Sequence, residues 1–77
     1  MDPNVTKTLL IRDDVLITRL DNTRYELSRF PDPPTAICKS LQTALDRASV
    51  IAETERVDIW STSNRRSFLR EGRYRLR

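Results

Sequence analysis

The sequence predicts an α+β fold, an antiparallel sheet of about five strands with one amphipathic helix packed on one face. Three observations carry this. From Ser40 to Glu55, the residues Leu41, Ala44, Leu45, Ala48, Ile51 and Ala52 recur at the spacing of one face of a helix of roughly 3.6 residues per turn. On either side of that stretch, short runs alternate apolar and polar residues with the period of a strand. Between the runs stand clusters of Asp, Asn, Pro, Ser and Gly, the residues that turn a chain.

Taken in order, residues 1–5 read as a frayed start and residues 1–77 as one domain. Thr8 to Ile11 and Val15 to Leu20 flank Arg12-Asp13-Asp14, whose acidic pair suits a solvated turn, so a hairpin is expected. Asp21-Asn22-Thr23 makes a second turn into Arg24 to Phe30, with Tyr25 and Leu27 on one face and Arg24, Glu26 and Ser28 on the other. Pro31, Pro33 and Pro34 end that strand, because proline has no amide hydrogen for the ladder. Thr35 either caps a long helix starting at Ala36, or Thr35 to Lys39 is a short strand and Ser40 is the cap. Ile37 fits both patterns, and we adopt the strand.

After the helix, Arg56 to Thr62 alternates, placing Val57 and Ile59 opposite Asp58 and Trp60. Ser61 to Arg66 reads as a loop and Ser67 to Arg70 as a further strand. Glu71-Gly72 offers a turn in which the lone glycine would supply a positive φ. Arg73 to Arg77 alternates strictly and would lie on a sheet edge.

Alanine at three buried helix positions implies close approach to a flat partner, which a sheet provides. The chain has 77 residues, 38% apolar and 32% charged, the composition of a globular domain. No apolar run reaches membrane-spanning length, and no leader is evident after Met1, so a cytoplasmic protein without membrane contact is expected. The net charge of +3 is uneven, because residues 60–77 hold six arginines and one glutamate. Arginine outnumbers lysine twelve to two, reflecting either a G+C-rich genome or bidentate anion recognition.

Catalysis is not expected. Histidine is absent, no glycine-rich loop could hold a phosphate, and Cys38 neighbours Lys39 on a strand, where adjacent side chains point to opposite faces. No cofactor, metal or small-molecule substrate is expected either. Two binding surfaces are. Arg65, Arg66, Arg70, Arg73, Arg75 and Arg77 form a candidate nucleic-acid surface, with Arg73, Arg75 and Arg77 in one row on a strand face. Trp60, opposite Val57 and Ile59, and Leu16 and Leu20, opposite Val15 and Ile17, make two strands apolar on both sides. A partner chain or a second copy would cover that second face, with Trp60 partly exposed until then.

Tyr25 and Leu27 on a hairpin strand, a short strand at Thr35 to Cys38, the hydroxyl of Ser40, the alanine-centred helix through Ala44-Leu45, Ala48 and Ile51-Ala52, and the strand Val57 to Trp60 leading to a last short strand together resemble a family of small bacterial domains of unknown function. The resemblance covers roughly residues 24–74. The chain departs from the pattern in having no glycine near Asn64 and in the added run Thr8 to Leu20. The resemblance implies a fold and a bacterial source, and brings no catalytic residues. The expected role is a non-enzymatic accessory module acting through protein contact or self-association. The alternatives are a nucleic-acid binder using the C-terminal arginines and a small inhibitor of a nucleic-acid-processing complex.

Overall fold

The computed structural model describes residues 10–75. In chain order they form β1 (Val15–Asp21), β2 (Arg24–Arg29), β3 (Ala36–Cys38), α1 (Leu41–Glu55), β4 (Ile59–Thr62) and β5 (Leu69–Gly72). The strands make one sheet in the order β3-β2-β1-β4-β5, and α1 packs on one face of it.

The sheet is mixed, not antiparallel as expected. β1 runs antiparallel to β2, β2 to β3 and β4 to β5, but β1 and β4 are parallel, with Val15 opposite Ile59 and Leu16 opposite Trp60. The helix is the reason. Its 15 residues span roughly 22 Å, about the length of a seven-residue strand. It therefore carries the chain back along the sheet, and the strand that follows points the same way as β3, and so as β1.

Ser40 is the N-cap, in extended conformation (φ −146°, ψ 159°), and its Oγ accepts from the Thr43 amide at 3.1 Å. Residues 36–38 are thus the short strand, with Ile37 61% exposed on its edge. The helix ends where Arg56 turns left-handed (φ 57°) and its amide donates to the Ala52 carbonyl. At that end Arg29 of β2 meets Glu55 at 2.8 Å. This hydrogen bond holds the Glu55 carboxyl below its ordinary range and raises the Arg29 guanidinium.

The buried helix stripe is alanine. Ala44, Ala48 and Ala52 are fully inaccessible and pack among Val15, Ile17, Leu27, Cys38, Val57 and Ile59. Leu45 and Ile51 are partly buried against this cluster, whereas Leu41 is exposed.

At the amino end, Leu10 and Ile11 are not in a strand, and Thr8, Leu9 and residues 1–5, expected as a frayed start, lie outside the described residues. The β1–β2 turn is as expected, with Asp21 Oδ1 accepting from the Thr23 amide at 2.8 Å. Gly72 differs. It sits inside β5 and not in a two-residue turn, its φ is not positive, and the β4–β5 register shifts beside it, Ile59 facing Gly72 while Trp60 faces Arg70. A Cβ there would lie 2.7 Å from Tyr74 Cε1 and 3.3 Å from Ile59 Cδ1, so glycine serves close packing. Gly72→Val should therefore lower stability by about 1–3 kcal/mol in urea unfolding, and an unchanged midpoint would show that the Tyr74 ring yields freely. Residues 73–75 form no strand, which removes the regular edge expected of Arg73 to Arg77 over its described part.

Candidate functional site

Trp60 and Leu16, expected on an exposed second face, are 4% and 6% exposed within the single chain. β1 is the central strand, so both of its faces need cover. α1 supplies one side. On the other, Leu16 floors a groove of about 360 Å³ bordered by Phe30, Pro31, Pro33, Arg65 and Phe68. Trp60 lies under the Arg70 guanidinium, 4.7 Å from ring centroid to Cζ. Leu20 alone of the three is exposed, at 43%.

The turn before β1 also departs from expectation. Asp13 is exposed and takes the left-handed conformation (φ 76°), but Asp14 is wholly buried and not solvated. Its carboxylate accepts from the amides of Ile11 (3.2 Å) and Asp58 (3.1 Å) and from the Trp60 indole (3.1 Å), and it pairs with the Arg75 guanidinium. Asp58, also buried, accepts from the amides of Tyr74 (2.9 Å) and Arg75 (3.0 Å) and lies 3.7 Å from Arg70 Nε. The two carboxylates seat the C-terminal segment against the parallel pair of strands. Sequence reasoning missed them, although a tryptophan on a core strand needs an acceptor for its indole hydrogen, and that was the available signal.

The candidate arginines are consequently dispersed. Arg70 and Arg75 turn inward to Asp58 and Asp14, and Arg65 pairs with Glu26 at 3.3 Å. Arg66 and Arg73 are exposed, and Arg77 lies outside the described residues. The row expected of Arg73, Arg75 and Arg77 is not formed over its described part.

What the fold does bring together is an open groove of about 510 Å³ on the helix side, at the carboxyl ends of β1 and β4. Its floor is Ile17 and Tyr25. Leu41 from the first turn of α1 and Leu69 from β5 stand at its margins, 38% and 65% exposed, and Phe68 closes one end. The hydroxyl residues Ser61, Thr62, Ser63 and Ser67 line the β4–β5 side. Arg19 is the charged residue of the lining, and its guanidinium donates to the Asn22 side-chain oxygen, a neutral partner.

The loop that shapes this side is built without glycine. Arg65 takes the left-handed turn (φ 60°), and Thr62 Oγ1 accepts from the Arg65 amide at 2.9 Å and donates to the Ser67 carbonyl at 2.7 Å. Asn64 Oδ1 accepts from the amides of Arg66 and Ser67. These bonds fix Phe68 and Leu69 at the groove.

Cys38 is buried, and no three carboxylate or thiol side chains converge as a metal set among the described residues. No helix among them is long and apolar enough to cross a membrane. No family model matches the chain, and no curated protein or solved structure matches it.

Proposed function

We propose that the chain is a non-enzymatic binding module that engages a protein partner through the groove floored by Ile17 and Tyr25. The observation that carries this is the pairing of an aromatic and aliphatic floor with the exposed leucines Leu41 and Leu69 and a rim of hydroxyls. Protein contacts have this anatomy, a desolvated apolar centre inside a polar margin. An enclosed pocket would bury most of a small ligand, whereas this groove is open along its length and suits side chains presented by a larger partner. Its position at the carboxyl ends of parallel strands is, by analogy, where open α/β sheets place ligands. Trp60, Leu16 and the floor residue Ile17 contribute almost no accessible surface to such a contact, which falls to Tyr25, Leu41 and Leu69, and among the described residues no comparable row of arginines favours nucleic acid. A lone buried thiol suits a reducing, cytoplasmic setting.

Selection from a displayed library of random peptides tests the reading. Peptides enriched on the wild-type chain should bind a folded Leu41→Ser/Leu69→Ser variant at least about tenfold more weakly, as expected when two exposed apolar contacts of an interface are lost. Equal binding to both proteins would locate recognition elsewhere.

A further inference from the structure

The groove proposed above as the partner site is polarised, and its polarity names the partner's chemistry. Arg19 is the charged residue of its lining, and it comes from β1, the central strand. The guanidinium is exposed and spends a hydrogen bond on the Asn22 amide oxygen, so it has donors left over. Tyr25 lies directly across from Arg19 in the β1–β2 ladder, which sets the cation beside the apolar floor. Leu41 belongs to the first turn of α1, a turn with no acidic side chain to oppose an incoming anion. At the far side the charge is reversed, because Glu71 reaches Ser61 of the lining and accepts from its hydroxyl. An occupant lying across the sheet therefore meets Tyr25 on β2, the Arg19 cation on β1, the Ser61 hydroxyl on β4, and Leu69 with the occupied Glu71 carboxylate on β5.

We propose that this groove takes an extended peptide segment of a partner protein that presents an apolar anchor to Tyr25, Leu41 and Leu69 and an adjacent aspartate or glutamate to Arg19. The proposal rests on the groove being the partner site. Arginine favours a carboxylate here because its fork of donors matches two oxygens at once. The acidic residue adds direction, since the segment reversed would bring its carboxylate towards Glu71.

The same display selection, run on the full chain and on Arg19→Glu, is the test. Acidic residues flanking an apolar pair should be enriched on the wild type and replaced by lysine or arginine on Arg19→Glu. For the best wild-type peptide, changing its acid to the amide should weaken binding about three- to fivefold, the scale of an exposed ion pair, and that difference should vanish on Arg19→Gln. Enriched peptides that depend on Leu41 and Leu69 but show no acidic preference would overturn this proposal while leaving the groove as partner site. Enrichment independent of those leucines would overturn both. Displacement of the peptide by a single-stranded oligothymidine, weakening steeply with salt, would identify phosphate as the anion and overturn the peptide assignment.

Discussion

Replacing Asp14 with alanine is expected to leave the chain largely unfolded. The carboxylate is wholly inaccessible and serves the Asp58 amide, the Trp60 indole, the Ile11 amide and the Arg75 guanidinium together. A buried donor left without its acceptor costs about 1–3 kcal/mol, and breaking a buried ion pair about 3–5 kcal/mol. A domain this size has roughly 4–12 kcal/mol in total. Arg75, one third exposed, can regain water, so Arg75→Gln should cost less than Asp14→Ala. Asp14→Asn keeps the shape but has one accepting oxygen in place of two, and should fall between. Urea unfolding followed by Trp60 fluorescence reads all three, and an Asp14→Ala midpoint close to wild type would show the network to be dispensable.

That network also shows which parts of the molecule the sequence exposes to reading. The helix from Leu41 to Glu55, its Ser40 cap, the Asp21 turn and the strand carrying Tyr25 and Leu27 follow from periods and caps spanning a few residues, and each is where those signals put it. The strand expected within Arg56 to Thr62 occupies its second half, Ile59–Thr62. Direction within the sheet was not locally legible, because β1 and β4 are joined through two strands and a helix. The signal lay in the strand-helix-strand order of residues 36–62, which makes the outer strands point the same way. Asp14 was less accessible still, since three of its four partners lie 44, 46 and 61 residues away. Read locally, Asp13 and Asp14 are alike. The uneven charge of the chain was a usable hint, for Arg65, Arg70 and Arg75 each pair with a carboxylate from the first 59 residues. Cations that looked available to a partner are partly committed within the chain. The groove escaped notice because its parts come from β1, β2, α1, β4, β5 and the loop after β4, and no one segment carries its pattern.

The second large effect concerns Ala48. With Ala44 and Ala52 it forms a stripe of zero exposure, so the helix axis sits as close to the sheet as methyl groups permit. It belongs to one buried cluster with Val15, Ile17 and Leu27, branched side chains of β1 and β2, and a close-packed cluster leaves little space for a larger group unless the helix moves. Ala48→Leu should lower stability by about 1–3 kcal/mol through overpacking. Ala48→Glu adds an unpaired charge to the same crowding, and it should abolish the cooperative transition in circular dichroism. Val50, on the same helix but 66% exposed, is the control, and Val50→Glu should change stability by no more than about 0.5 kcal/mol. The contrast separates packing from helix propensity, because glutamate is a good helix former at either position. If Ala48→Leu were neutral, the helix would have room to lift from β1 and β2, and the groove margin at Leu41 would move with it.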